Sequence, residues 1–204
     1  MSVSIKEESQ WANAGALSII KEEPQWANPG ALGLAGFGLN TILLQVFNLG
    51  LIQGTLPIIF GFVWGGLAQV ITGVIAGKRG DTFGLTAFTS YGVFWLGLSL
   101  SFLLEWTGVV KLDASGVAWM MVMWAVFTFI LTIAALKVDY LHVFILGTLV
   151  ILFLLLAAHF FWNWSSKIAG AEGLLPGLSA TYGAAAVVIN AKFGREVLRV
   201  GKIK

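Results

Sequence analysis

The side chains able to do chemistry in this chain are few, and their placement narrows the chemistry. Ten Asp and Glu, two His and no Cys make up its stock of acids, bases and soft ligands. Their spacing forms no Ser/His/Asp arrangement, nucleotide-binding loop or metal-ligand cluster, so enzyme chemistry has no support and neither a cofactor nor a metal is expected. All ten carboxylates fall outside the long apolar runs or at their ends, with Glu105 closing the third run. Buried carboxylates are the usual cation sites and proton relays of pumps, so this distribution argues against a cation channel, a redox pump or a carboxylate antiporter.

The apolar runs hold neutral donors instead. The first carries Asn40, Gln45 and Asn48, the second Gln69 and Thr72, and the third Thr86, Thr89, Ser90, Tyr91, Ser99 and Ser101. The last carries Ser179, Thr181, Tyr182 and Asn190. An amide left unpaired in lipid costs several kcal/mol, so these groups face protein, water or a solute. Interhelical hydrogen bonding, worth about 0.6 kcal/mol per residue, accounts for some of them. So many donors on the first and third runs point to the lining of a path. A path rich in N–H and O–H donors and free of acid suits a small anion or a small neutral polar solute. Asn28, just before Pro29 at the start of the first run, adds free backbone N–H groups and a helix dipole that attract carboxylates.

The elements that position these residues are membrane helices. Of the 204 residues, 58% are hydrophobic and 11% charged, with a mean hydropathy of +0.88. A soluble domain carries about 25% charged residues. Crossing about 30 Å of hydrocarbon takes roughly 20 helical residues. Six runs qualify: Ala31–Ile52, Pro57–Ala76, Phe83–Leu104, Val117–Leu136, Leu141–Trp162 and Leu174–Ala191. The sequence therefore reads as an all-α, multi-pass cell-membrane protein. A signal peptide is not expected, because Lys and Glu fill the first 25 residues.

With six spans, one side holds Lys6, Lys21, Lys78, Arg79, Lys137, Lys192, Arg195, Arg199, Lys202 and Lys204. The other holds Lys111 and Lys167. Ten against two places both termini in the cytoplasm by the positive-inside rule. The expected organisation is a cytoplasmic segment over residues 1–27, a six-helix domain over 28–194 and a basic tail over 195–204. The first segment contains a duplication: Ile5–Leu17 recurs as Ile20–Leu32 with two changes, both to Pro. A spare interfacial segment is the simplest reading of it. Gly61/Gly65, Gly73/Gly77 and Gly173/Gly177 have the small-xxx-small spacing that lets helices approach closely. His142 and His159, near opposite ends of the fifth span, read as interfacial or packing histidines.

Several stretches then resemble one known family. Asn28-Pro29-Gly30-Ala31-Leu32-Gly33-Leu34 resembles the NPAPLGL signature of the acetate uptake transporters, the succinate–acetate permeases, with Ala31 where members usually have Pro. Phe83 to Trp95, reading FGLTAFTSYGVFW, is similar to the family's third helix, and Trp124 to Thr128 and Ala180 to Arg195 match in order. The family's Leu-Pro-x-Gly ending is here Leu198-Arg199-Val200-Gly201. The resemblance runs from about Asn28 to the C-terminus.

This resemblance implies a homo-hexamer in the lipid bilayer, each protomer passing acetate or related small carboxylates, with or without a proton, as a channel or a proton-coupled permease. It also implies a hydrophobic constriction from Phe37, Tyr91 and Leu149. The span boundaries place all three at a similar depth, roughly 10 Å in from the cytoplasmic ends. Asn28, Asn40, Gln45, Asn48, Gln69, Thr86, Thr89, Ser90 and Asn190 are the candidate substrate-binding residues. The alternative from a different transport class is a channel for a small neutral solute such as urea or ammonia. A membrane sensor without a continuous path is a third reading. No nucleic-acid partner is expected.

Overall fold

A computed structural model describes residues 26–203. The first copy of the duplication, and the first six residues of the second, lie outside the described residues. Six helices are long and apolar enough to cross a membrane: α1 (Gly30–Asn48), α2 (Leu56–Lys78), α3 (Thr82–Trp106), α4 (Ala114–Ala135), α5 (Tyr140–Trp162) and α6 (Ser166–Phe193). Charged caps start three of them. The carboxylates of Asp81, Asp113 and Asp139 accept the backbone N–H of Gly84, Gly116 and His142, satisfying donors that a helix start leaves free. Trp26, Trp106, Trp119, Trp162 and Trp164 are exposed near the ends of the bundle, as interfacial anchors are.

Two boundaries differ from the sequence expectation by four residues or more. α1 stops at Asn48, not Ile52, and the chain turns through Gly50 and Gly54 at positive φ. The Ser166 hydroxyl donates to the Asn48 carbonyl there, tying the end of α1 to the start of α6. α6 begins eight residues before Leu174, capped by Ser165, and so takes in Glu172. The expectation that every carboxylate lies outside or at the end of a span fails at Glu172. Its two carboxylate oxygens are buried with no hydrogen-bond partner. Lys167 and Glu172 made this stretch look like loop, whereas Ala169, Gly170, Gly173 and Gly177 between and beyond them supply a buried helical face.

Glycine decides which backbones meet. α1 packs chiefly on α6, α2 on α3 and α4 on α5, and α5 also packs on α6. A Cβ on Gly38 would lie 2.7 Å from backbone atoms of both Gly177 and Thr181, so α1 and α6 touch main chain to main chain. A Cβ on Gly73 would meet Thr89 in the same way. α2 widens into a π-helical turn over Gly61–Leu67, and the Gln69 side chain donates to the Gly65 carbonyl at 2.6 Å. The α3 and α4 backbones barely approach each other. Tyr91 and Phe94 from α3 and Trp124 from α4 fill the gap, with the Phe94 and Trp124 ring centroids 4.8 Å apart. Close contact on one side and aromatic spacers on the other leave room inside the ring of helices.

The tail folds back on the bundle. Val200 and Gly201 carbonyls accept the Leu141 and Tyr140 N–H groups, and Tyr182 donates its hydroxyl to the Arg199 carbonyl. Gly38→Ala should cost about 1–3 kcal/mol, as overpacking of a tight contact does. Gly97, with nothing within 4 Å of its Cβ position, is the control. Thermal unfolding in detergent should show a lowered midpoint for Gly38→Ala and none for Gly97→Ala.

Candidate transport pathway

Two cavities lie inside the bundle, end to end. The larger, about 380 Å³, is bounded by the C-terminal halves of α1, α3 and α5 and the start of α2. The smaller, about 40 Å³, is bounded by the N-terminal halves of α1, α3 and α5 and by Gln69 of α2. The residues common to both linings are Phe37, Tyr91 and Leu149. Each is at most 6% exposed, and the Phe37 and Tyr91 ring centroids lie 6.0 Å apart. These three side chains form a neck between the two chambers.

The neck is apolar. The Tyr91 hydroxyl donates to Thr128 Oγ1 of α4 at 2.9 Å, and Thr128 is fully buried. The hydroxyl is therefore turned towards α4 and engaged there. What Tyr91 offers the neck is its ring. Trp124 and Phe127 pack around that ring and hold its rotamer, and Phe94 packs in turn on Trp124.

The larger chamber is polar at chosen points. Thr41, Gln45, Asn48 and Ser99 line it. Asn48 Nδ2 donates to Gln45 Oε1 at 2.9 Å, which fixes which way the Gln45 amide faces. Gln45 Nε2 and Thr41 Oγ1 are then buried donors with no protein partner. In the smaller chamber Gln69 spends its N–H on Gly65 and leaves Oε1 as an unpartnered acceptor. Buried polar groups are almost always satisfied, so orphans around a cavity mark where water or a solute completes the set.

The other candidate positions fall elsewhere. Asn28 is exposed and accepts from Gly30 N at 2.9 Å, a local contact at the start of α1. Asn40 is buried with both amide atoms unpartnered, against the Gly61 and Ser99 side of the α1–α2–α3 interface and outside both linings. Thr86 faces outward, Thr89 packs on Gly73, and Ser90 is half-buried; none of the three lines a cavity. Asn190 clasps the tail: its Oδ1 accepts from Val197 N and Leu198 N, and its Nδ2 donates to the Leu198 carbonyl. Sequence reasoning missed Thr41 and Thr128, named Ser99 as a donor without making it a binding candidate, and set His142 and His159 aside. His142 lines the smaller chamber and His159 the larger.

Near the mouth of the smaller chamber, Asp139 is largely buried beside His142, with Oδ1 2.8 Å from the ring Nδ1. Burial raises the Asp139 carboxyl, but hydrogen bonds from the His142 ring and backbone N–H outweigh it and leave the group below the usual carboxylate range.

A ring of six membrane-length helices around two chambers and an apolar neck defines a membrane channel or carrier for a small solute. The profile of the GPR1/FUN34/yaaH family matches residues 12–200, and the chain belongs to this family. It is 41% identical to the succinate-acetate/proton symporter SatP of Escherichia coli K12 over 177 residues, covering 83% of this chain and 93% of that one. The solved structure of the bacterial acetate channel SatP superposes with a TM-score of 0.84 at 39% identity, covering 87% of this chain and 100% of that chain. The ammonia transport outward protein 2 of Saccharomyces cerevisiae is 32% identical over 166 residues, covering 74% of this chain and 58% of that protein. The family match begins inside the duplicated region, before the Asn28 at which the sequence resemblance starts.

Two measurements follow from this geometry. Tyr91→Phe keeps the ring in the neck and removes one buried hydrogen bond, so in detergent unfolding measurements the variant should lose about 1 kcal/mol of stability relative to a surface control. The depressed Asp139 carboxyl contributes stability above the ordinary carboxylate value of about 3.9 and loses it as pH falls through its lower folded-state value. Asp139→Asn retains a good helix cap and should flatten the acid limb of a stability–pH profile. An unchanged acid limb would show that the contact is not linked to folding.

Proposed function

We propose that this chain carries acetate and similar small monocarboxylic acids across the cell membrane, and that the form crossing the neck is the neutral acid. The observation that carries this reading is the apolar neck of Phe37, Tyr91 and Leu149 between two chambers with unsatisfied polar groups. A full charge in mid-membrane is costly, and an apolar ring supplies no hydrogen bond to offset it. A carboxylic acid escapes this cost by binding a proton. Its methyl group suits the ring, and its carboxyl finds Gln45 and Thr41 donors on one side and the Gln69 acceptor on the other. The names of the bacterial relatives support the same substrate class.

The assembly we propose is a homo-hexamer in the bilayer with both termini cytoplasmic. The basic residues support the orientation. The broad outer surface of exposed Leu, Ile, Val and Phe supports lipid contact and contact between copies. Each protomer has its own pathway, so the hexamer multiplies flux without sharing a pore.

The test is labelled acetate uptake into proteoliposomes with and without an imposed pH gradient. A small carboxylic acid titrates near the model value of about 4.3, so uptake should rise as the outer pH falls. Uptake that stays flat between pH 5 and pH 8 sinks the neutral-acid form. Flux of ammonia or urea with no competition by acetate would favour the neutral-solute reading that the yeast relative's name suggests. Leu149→Ala widens the neck, and butyrate should then compete with acetate roughly tenfold better than in the parent, in line with about 1–3 kcal/mol per methylene-sized change in a pocket.

A further inference from the structure

Two histidines stand on α5 with Leu149 of the neck between them in sequence, and each faces a different chamber. In both rings Nδ1 is committed. That of His142 lies 2.8 Å from Asp139 Oδ1, and that of His159 lies 2.5 Å from the Trp164 carbonyl. Carboxylate and carbonyl oxygens only accept, so each Nδ1 carries the hydrogen. In the neutral ring Nε2 is then a lone pair, the ring nitrogen not engaged by these contacts, on a residue that lines a chamber. A packing histidine has no need of this arrangement twice, once on each side of a constriction.

We propose that His142 and His159 are the proton-exchanging groups of the pathway, one loading the acid before the neck and the other unloading it beyond. The proposal rests on the reading that the neutral acid is the form that crosses. On the entry side an imidazolium Nε2–H bond breaks and its proton forms an O–H bond on the carboxylate, leaving a neutral ring and a neutral acid. On the exit side the acid O–H bond breaks, its electron pair stays on oxygen and the proton joins Nε2. Water on the two sides then recharges the first ring and discharges the second, so one acid and one proton move together. Both rings work in either direction.

The charged groups around the two rings differ. Asp139 faces His142 as a counter-charge and Phe83 of α3 meets its ring edge-on at 6.3 Å. α4 carries no charged residue between Ala114 and Ala135, with Lys137 just beyond. α6 brings Lys192 and the tail brings Lys202, whose backbone pairs with Asp139. At the other end, α6 brings Lys167 and Glu172 towards the His159 side, and Asp113 caps α4. Tyr91, the remaining titratable residue on either lining, has its hydroxyl held by Thr128.

The experiment uses the full chain in proteoliposomes, with labelled acetate and a lumenal pH dye. His142→Gln and His159→Gln keep a donor for Asp139 and for the Trp164 carbonyl but take up no proton. With both compartments at pH 7, each should reduce acetate flux about tenfold, a modest part of the 10²–10⁴ that positioned acid–base groups supply, because water shares the task. With both at pH 5, where much of the acid arrives protonated, the variants should approach the parent. His142→Ala with added imidazole should recover flux, which a purely structural role would not allow, and it decides the matter if His142→Gln is unstable. Glutamine variants with the parent's pH profile overturn the proposal, as does an equal loss at both pH values without imidazole rescue. A parent protein with no acetate flux at all would instead sink the transport reading.

Discussion

Six membrane-length helices enclose a pathway only if some of their backbones touch and others are held apart. Lipid supplies no hydrophobic force between helices, so contact depends on close packing. Here glycine provides it: Gly38 seats α1 on α6, and Gly73 seats α2 on α3. On the far side Tyr91, Phe94, Trp124 and Phe153 stand between helices and keep them apart. The same aromatic cluster that spaces α3 from α4 also fixes the Tyr91 ring in the neck. Architecture and constriction are one packing problem, solved by one set of side chains.

The polarity of the pathway follows from where hydrogen bonds are spent. Tyr91 and Thr128 satisfy each other, which leaves the neck apolar. Gln45 is half satisfied by Asn48 and Gln69 half by Gly65, so each turns one free group of opposite kind to its own chamber. A larger, donor-lined chamber, an apolar ring and a smaller chamber with an acceptor form a graded route. A hydrated ion would have to shed its water at the ring with nothing in exchange, whereas a protonated small acid has little left to shed.

Much of this was legible in the sequence, because span length and hydropathy are properties of contiguous residues. The six helices and the depth of Phe37, Tyr91 and Leu149 needed no knowledge of neighbours. The fate of each polar side chain did. Asn190 and Gln45 look alike in the sequence, yet one clasps the C-terminal tail and the other lines a chamber, since a partner 8 residues on claims the first amide. The direction of the Tyr91 hydroxyl is set by Thr128, 37 residues away. Glu172 was misplaced for a different reason. Charged residues near a span end are read as loop, but a glycine-rich face packed on α1 extends the helix past them.

The scarcity of carboxylates facing the chambers is no obstacle to moving a proton with the substrate. A carboxylic acid is its own proton carrier, and the membrane penalty on its ionised form already couples the two: only the loaded molecule passes an apolar ring cheaply. On the proposed reading the protein's task is to control protonation on the two sides and to keep the chambers polar and the neck apolar. Imidazoles suit the first requirement better than carboxylates, which would repel the arriving anion and compete with it for the same proton. Neutral amides and hydroxyls suit the second. On this account the chain's shortage of chamber acids and its surplus of donors are two consequences of one selection, for a substrate that brings the negative charge itself.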